Sequence, residues 1–463
     1  MAALPAQPNI VFVFPDQLRQ QAVGFMHADP VVTPNLDRFA ADSLVVTNAI
    51  SNFPVCSPYR AMLLTGQYPF ANGVIGNCNS GNNARDIFLK PDARCLSDAL
   101  NDAGYFCGYI GKWHLDKPDP AHEMYTEGRG SDGVIWDGFT PPDRRHSFRF
   151  WHSYGCCDKH LSPHYWVNAT PVDQRLDVAE WSVKHETDVA VEFIANRGGQ
   201  GGAMREAGKP FALFVSFNPP HTPFKAVPEQ YLGAYTGKTT RDLLTRPNVR
   251  FEGRGAEAEK WAKHYFAAIT GIDEQFARIL MALDDANLTD DTIVVFTSDH
   301  GEMMGSQGLM NKLVWYNESL RVPFALRWPG RIEPGRSGLL LGAPDIMPTL
   351  LGLCGLSARI PTAVQGADRS ANLRGEKAPE PESAPYLWID ADAPARLGCR
   401  GVVTRRHTFV VERTATGEHA YLYDSEQDPY QLQNIAASQP ELVMGFRTEL
   451  RNWLERTNDP WPV

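Results

Sequence analysis

The chain has 463 residues, of which 43% are hydrophobic and 11% aromatic, enough for one large domain with an appendage. Its net charge of −10 excludes a broadly basic surface for nucleic acid. Its eight cysteines are too few for a disulfide scaffold, and no CxxC pair indicates structural zinc.

The hydrophobic runs are short, and none of them predicts a membrane span. The most apolar window, residues 339–356, is interrupted by Pro344, Asp345 and Pro348, so it is typical of a buried strand or helix segment. Residues 1–8 lack a basic start followed by an apolar stretch, so no signal peptide is predicted and the default location is cytoplasmic. A periplasmic or secreted location is the alternative if a leader has been removed.

Strands and helices alternate along most of the chain. Four apolar runs predict buried parallel strands, at residues 9–14, 105–110, 211–217 and 292–297. Apolar residues at helical spacing separate them, at residues 34–41, 96–103, 178–196 and 258–283. This alternation predicts an α/β fold with a large, mainly parallel but mixed sheet flanked by helices.

Polar side chains follow each of these four predicted strands. They are Asp16 and Gln17, Lys112 and His114, His221, and Asp299 and His300. Ligands of such sheets bind in the loops beyond the carboxyl ends of the strands. The sequence therefore predicts a site for metal binding and proton transfer at this edge of the sheet.

The last part of the chain predicts a smaller antiparallel sheet with a helix. Residues 375–385 are rich in Pro, Ala and Glu and are typical of a linker. Two antiparallel strands are predicted at residues 401–412 and 419–423, and an amphipathic helix at residues 441–456.

We therefore expect two units. The first is a catalytic α/β domain at residues 1–374, and the second is a C-terminal α+β subdomain at residues 375–463 that packs on it. Residues 128–166 are rich in Trp, Tyr, Phe, His and Arg without clear periodicity. We expect this segment to be an insertion that walls the substrate pocket.

The segment that begins at Cys56 reads Cys-Ser-Pro-Tyr-Arg, and Leu-Thr-Gly follows at residues 64–66. It resembles the CxPxR signature and following LTG of the type I sulfatases, which belong to the alkaline-phosphatase-like superfamily. Other motifs of that family occur in the same order, with Thr-Pro-Asn-Leu-Asp at 33–37, Gly-Lys-Trp-His-Leu at 111–115, Pro-Pro-His at 219–221, Ser-Asp-His-Gly-Glu at 298–302, Leu-Tyr-Asp at 422–424 and Asp-Pro at 428–429. The resemblance covers most of the chain, and this shared order is more specific than any one motif.

The resemblance implies that a maturation enzyme oxidises Cys56 to formylglycine. The hydrated aldehyde carries two hydroxyls on one carbon: one attacks sulfur, and deprotonation of the other then expels sulfate. The resemblance also implies a role for Arg60, which lies within one helical turn of Cys56 and would neutralise developing charge and orient the hydrate.

The same resemblance implies four further catalytic side chains. Lys112 would bind sulfate and the formylglycine hydroxyl, and His114 would accept the proton that triggers sulfate release. His221 would protonate the leaving alcohol as the S–O bond breaks. Lys312 matches a family lysine that contacts both sulfate and leaving group.

One divalent cation is also implied, with Asp16, Gln17, the modified Cys56, Asp299 and His300 as its ligands. Gln17 takes a position that is often a second Asp in the family, and His300 takes one that is often Asn. We expect Ca²⁺. Mn²⁺ is the alternative, because calcium prefers all-oxygen shells whereas manganese tolerates imidazole.

These motifs predict hydrolysis of a sulfate monoester of a carbohydrate or small organic alcohol, with no nucleic-acid or membrane partner. A phosphonate or phosphate monoester hydrolase that uses the same site is the first alternative. Asp16-Gln17 combined with Asp299-His300 resembles that branch, whereas Lys112 and His114 are nearer to typical sulfatases. The second alternative is a catalytically silent protein that binds sulfated glycans, which would need neither this cysteine nor a proton donor.

Overall fold

The computed structural model describes residues 7–119, 130, 132–198 and 202–462. Its strands are β1 Asn9–Val13, β2 Leu44–Ile50, β3 Phe106–Lys112, β4 Phe150–Tyr154, β5 His164–Val167, β6 Leu176–Asp177, β7 Phe211–Ser216, β8 Thr292–Phe296, β9 Ala325–Arg327, β10 Gly335–Gly342, β11 Ala384–Ile389, β12 Gly398–Val403, β13 His407–Thr414 and β14 Gly417–Asp424. Its helices are α1 Pro34–Ala41, α2 Cys56–Thr65, α3 Pro69–Asn72, α4 Leu96–Asp102, α5 Ser182–Ala195, α6 Glu229–Leu232, α7 Thr240–Leu243, α8 Ala258–Asp285, α9 Asn317–Leu320, α10 Ala343–Leu353, α11 Ser370–Leu373 and α12 Pro440–Thr457.

The first ten strands form one mixed sheet in the order β10-β2-β9-β8-β1-β7-β3-β4-β5-β6. Its centre is parallel, since β1 pairs with both β7 and β8, and β3 pairs with both β7 and β4. The short strand β9 is antiparallel to its neighbours β2 and β8. The predicted large, mainly parallel but mixed sheet is confirmed.

Helices cover both faces of this sheet, so its central strands are buried on both sides and their sequences are continuously apolar. Ile10 and Phe12 of β1 belong to the hydrophobic cluster that includes α2, α4 and α10. Val11 and Val13 point to the other cluster, which includes α1, α5 and α8. This alternation follows from the two-residue period of a strand.

Strands β11 to β14 form the smaller antiparallel sheet in sequence order. Helix α12 packs Phe446 and Leu450 against Phe409 and Leu422 on one face. The other face contributes residues such as Tyr386 to a cluster shared with β2 and β10 of the large sheet. The predicted antiparallel sheet and helix are therefore present, and a unit boundary after residue 374 stays our proposal.

Several predicted boundaries differ from the structure. Residues 401–412 were expected to form one strand, but a turn divides them into β12 and β13. The Thr404 hydroxyl makes this turn by accepting hydrogen bonds from the backbone N–H groups of Arg406 and His407. The apolar window at residues 339–356 contains both the end of β10 and helix α10.

The segment at residues 128–166 is only partly a loop. It contains β4 and the start of β5, which extend the large sheet beyond β3. Residues 128, 129 and 131 of this segment lie outside the described residues. Within the described ranges, no helix has the length and apolar character needed to cross a membrane.

Candidate active site

The carboxyl ends of β8, β1, β7 and β3 lie side by side and bring together residues that are far apart in the sequence. Asp16 follows β1, Lys112 ends β3, Asn218 follows β7 and Asp299 follows β8. The side chains of Asp16, Lys112 and Asp299 are completely buried. The structure therefore brings these three side chains together at this edge of the sheet, as the sequence predicts.

Cys56 is the first residue of α2, and its thiol faces the same edge of the sheet. Its Sγ lies 3.4 Å from His300 Nε2, 3.7 Å from Asp16 Oδ1 and 3.8 Å from Lys112 Nζ. The side chain of Asn77 accepts a hydrogen bond of 3.1 Å from the backbone N–H of Ser57. This N–H group lies in the first helical turn, where the backbone donors have no partner within the helix. The thiol is thus held between the carboxylates, an imidazole and an ammonium group.

Asp16, Asp299, His300 and Cys56 form a candidate metal centre, because one ligand atom from each lies within 4.8 Å of the others. His300 Nε2 is 3.4 Å from Asp16 Oδ1 and 3.7 Å from Asp299 Oδ1. His300 Nδ1 lies 3.0 Å from the carbonyl of Gly301, so it donates its proton there and leaves Nε2 with a free lone pair.

The protonation of this cluster fits a divalent cation. Burial lowers the pKa of His300 to about 4, so the ring is neutral at pH 7 and its Nε2 is available as a ligand. Burial and the neighbouring Asp16 carboxylate raise the pKa of Asp299 above its ordinary value. A cation between the two carboxylates would relieve this repulsion, so the residues present fit the implied metal.

Gln17 lies beside these residues in a left-handed backbone conformation, with φ of 68°. Its Oε1 accepts a hydrogen bond of 2.6 Å from Lys312 Nζ, and its Nε2 donates one of 2.5 Å to Glu302 Oε2. The amide is therefore oriented at both ends, and Lys312 is fixed next to it. A metal-ligand role for Gln17 stays our proposal.

Arg60 lies beneath the centre rather than in the open pocket. Its Nη2 atom lies 3.2 Å from Asp16 Oδ2 and 3.1 Å from Asp299 Oδ2. Its Nη1 atom donates to the carbonyl of Lys112 at 2.7 Å and to Ser216 Oγ at 2.6 Å. The guanidinium is 1% exposed and is placed to align the two carboxylates.

Lys112 has a completely buried ammonium group that makes two close polar contacts. Nζ lies 2.7 Å from Asp16 Oδ2 and 3.0 Å from Asn218 Oδ1. Burial opposes its charge, but Asp16 raises the pKa of Lys112 well above the ordinary value. The Lys112 ammonium group is therefore cationic at neutral pH and lies beside Cys56. A cation in this position suits the binding of a sulfate oxygen.

A cavity of about 560 Å³ opens above Cys56. His114, His221 and Lys312 all line it. Among the described residues, neither ring nitrogen of His114 has a hydrogen-bond partner, although the ring is buried. Burial and the neighbouring Lys112 lower the pKa of His114 well below its usual value, so the ring is neutral and free to accept a proton.

The segment at residues 128–166 forms much of the cavity wall. Six lining residues come from its described part: Gly130, Trp136, Cys156, Cys157, Asp158 and Lys159. Asp137 fixes this wall, since one carboxylate oxygen accepts from the backbone N–H groups of Gly155 and Cys156 and the other is 2.7 Å from His164 Nε2. This arrangement supports our proposal that the segment shapes the substrate pocket.

Sequence reasoning missed several polar residues of the site. Asn218 and Asp158 belong to no motif, and only their proximity in the fold reveals them. Glu302 lies inside the Ser-Asp-His-Gly-Glu motif, so its position was visible but its contact with Gln17 was not. Asn77 belongs to none of the motifs, yet its side chain caps the helix that carries Cys56.

Comparison with known proteins identifies the family. The sulfatase family model matches residues 8–356, and the model of the N-sulphoglucosamine sulphohydrolase C-terminal region matches residues 305–458. The chain is 40% identical to an endo-4-O-sulfatase from Bacteroides thetaiotaomicron, over 98% of this chain and 93% of that protein. It is 34% identical to an ulvan-active sulfatase from Formosa agariphila, over 93% of this chain and 77% of the relative.

The fold comparison agrees. A structure of the sulfatase yidJ from Bacteroides fragilis superposes with a TM-score of 0.92 at 40% identity, over 99% of this chain and 98% of that one. Divalent metal and a formylglycine made from cysteine are features of this family, and Cys56 and the buried cluster around it fit both. The chain belongs to the sulfatase family and is a hydrolase of sulfate esters.

Proposed function

We propose that this sulfatase removes sulfate from a carbohydrate, with formylglycine at position 56 as its nucleophile. The proposal draws its substrate class from the names of the two similar proteins, one an endo-4-O-sulfatase and the other an ulvan-active sulfatase. The observation that carries it is the position of Cys56 Sγ, at the floor of a cavity and within 3.8 Å of Lys112 Nζ.

The Sγ atom of Cys56 marks the place of one hydroxyl oxygen of the hydrate, because the sulfur of cysteine and that oxygen are each bonded to Cβ of residue 56. We propose that a formylglycine-generating enzyme makes this change. When formed, the hydrate supplies one hydroxyl for attack on sulfur and a second for release of sulfate. The side chains around Cys56 then bind the sulfate group and move protons.

We propose Ca²⁺ as the resident ion, with Mn²⁺ as the alternative. Asp16, Gln17, Asp299, His300 and the modified residue 56 would hold it, and when bound it would supply positive charge for the sulfate oxygens. The neutral imidazole of His300 is the ligand that suits manganese. Metal analysis of purified protein, followed by reloading with each ion, distinguishes the two.

Proton transfer falls to two histidines in this proposal. Lys112 binds a sulfate oxygen, and the neutral His114 accepts the hydroxyl proton whose loss releases sulfate. His221 gives a proton to the leaving alcohol from the cavity wall. Lys312, which is held by Gln17, adds positive charge on the leaving-group side. Arg60 acts indirectly by fixing the carboxylates of Asp16 and Asp299.

The test compares wild-type protein, made together with the maturation enzyme, with Cys56→Ala made in the same way. Intact-mass analysis should show conversion of Cys56 only in wild type. Wild type should release sulfate from a 4-O-sulfated polysaccharide and from nitrophenyl sulfate, and the variant should release none.

Phenyl phosphonate esters provide the competing substrate. Faster hydrolysis of the phosphonate than of the sulfate would refute the assignment of substrate. A fully converted protein that binds the sulfated polysaccharide without turnover would instead identify a binding protein.

A further inference from the structure

Asp158 and Asn218 link two cationic side chains of the site that no sequence motif connects. The Asn218 side chain accepts from Lys112 Nζ at 3.0 Å and donates from Nδ2 to Asp158 Oδ1 at 3.1 Å. The same Asp158 oxygen lies 3.4 Å from His221 Nδ1. A continuous polar chain therefore runs from the residue beside Cys56 to the histidine on the cavity wall.

The two ring nitrogens of His221 have different surroundings. Nδ1 lies 2.7 Å from the carbonyl of Thr222 and faces the Asp158 carboxylate. Both of these groups are acceptors, so Nδ1 keeps its proton. Nε2 makes no hydrogen bond to any residue in the described ranges, so Nε2 is the atom that exchanges a proton with a ligand in the cavity.

Several charges act on this imidazole. The ionisable groups that face it are Asp158, His160, Lys112, His114, Lys312 and Asp16. Burial, Lys312 and Lys112 lower the pKa of His221, but the carboxylates of Asp158 and Asp16 outweigh them and raise it. A cation bound to Asp16 would cancel the charge of that carboxylate, which leaves Asp158 as the anion that favours a protonated His221.

We propose that Asp158 is a positioning residue that holds His221 as a protonated general acid, with Nε2 directed at the leaving-group oxygen. The proposal rests on the proposed function. As the bond between sulfur and the leaving oxygen breaks, that oxygen keeps the electron pair and takes the Nε2 proton. His221 then becomes a neutral imidazole, whose remaining proton is on Nδ1. His221 lines the cavity, so water that replaces the departed alcohol can return the proton to Nε2 between turnovers.

The Asn218 amide fixes the two ends of this polar chain, Lys112 and His221, relative to each other. Its Nδ2 also donates to the carbonyl of Cys157 at 2.9 Å, so the amide fixes the backbone next to Asp158 as well as its side chain. The sulfate-binding Lys112 and the proton donor His221 are therefore positioned by one shared amide. A shift of the cavity wall would disturb both.

The first test separates acid catalysis from a purely structural effect by changing the leaving group. A sugar alkoxide needs a proton to leave, whereas nitrophenolate does not, so only the former depends on a general acid. Asp158→Asn should lower kcat/KM for the sulfated carbohydrate by about 10–100-fold and change that for nitrophenyl sulfate far less. Asp158→Glu should recover most of the loss. Asp143→Asn, an exposed acid of the same segment, is the matched control and should change neither rate.

The second test reads the histidine directly and does not require turnover. The pKa of His221, followed by NMR in metal-loaded protein and assigned with His221→Gln, should fall in Asp158→Asn relative to wild type. An equal loss of rate on both substrates, or an unchanged pKa of His221, overturns the proposal. Wild-type protein that hydrolyses neither sulfate would refute the proposed function, while the NMR comparison would still decide whether Asp158 controls His221.

Discussion

Gly301 follows the candidate metal ligand His300 and has no room for a side chain. A Cβ at this position would lie 1.9 Å from the carbonyl oxygen of Glu318 and 3.2 Å from Arg19 Cα. Cβ atoms essentially never come closer than 3.0 Å to a heavy atom outside their own residue and its chain neighbours. The substitution Gly301→Ala must therefore move the two backbone segments apart by about 1 Å, against the hydrogen bond of 2.9 Å from Gly301 N to Ser319 O.

This displacement acts on the metal centre through His300, because His300 Nδ1 is hydrogen-bonded to the Gly301 carbonyl. We expect Gly301→Ala to weaken metal binding by about 10–100-fold and to lower kcat by up to about 100-fold, which a misplacement of 1 Å can cost. Overpacking should also reduce the free energy of unfolding by about 1–3 kcal/mol.

Calorimetric titration with Ca²⁺ and Mn²⁺ measures the first effect, and urea unfolding of metal-free protein measures the last. Gly445→Ala is the control, since Gly445 lies exposed in α12 with open space around its Cβ position. It should leave metal affinity unchanged and raise the free energy of unfolding by about 0.5–1 kcal/mol. Metal affinity within twofold of wild type in Gly301→Ala would refute the reasoning.

Three further predictions concern other parts of the site. Arg60→Met leaves the buried Asp299 carboxylate without its cationic partner, whereas Asp16 keeps Lys112, so urea unfolding of the metal-free protein should show a loss of about 3–5 kcal/mol in the free energy of unfolding. Burial opposes protonation of His164, but the Asp137 carboxylate raises the pKa of His164 to about 10. The protonated His164 therefore contributes its full stabilisation below about pH 6.5, and this contribution is lost as the pH rises through 10. Urea unfolding across this range should show the decline in wild type and a weaker one in His164→Gln. His114→Ala should release about one equivalent of alcohol per enzyme and then stop in a rapid-quench assay, and continued turnover at the wild-type rate would contradict its role.

The strand ends that carry the site could be predicted because buried parallel strands are continuous apolar runs with sharp polar ends. Asp16, Lys112 and Asp299 follow such runs, and the sheet order brings them together. The turn between β12 and β13 was missed because residues 404–406 contain no Gly, Pro or Asn, and a single hydroxyl makes the turn. Propensity carries no information about a hydrogen bond of this kind.

The contacts around Asp158 and Arg60 could not be read from the sequence. Asp158 is in a segment without periodicity, and its partners Asn218 and His221 are more than fifty residues away. Arg60 was predicted to neutralise developing charge and to orient the hydrate, and that role stays a prediction. The sequence did not show that the side chain of Arg60 also contacts the two carboxylates of Asp16 and Asp299.

The position of β1 between β7 and β8 also has a consequence for synthesis on the ribosome. His300, which contacts Cys56, is 244 residues later in the chain, and at about 5–20 residues per second this is a delay of roughly 12–50 s. During that interval the thiol lacks its contact with His300, whereas in the finished fold Cys56 is 2% exposed. The proposed oxidation of Cys56 therefore has a natural time window, which closes when β8 joins the sheet.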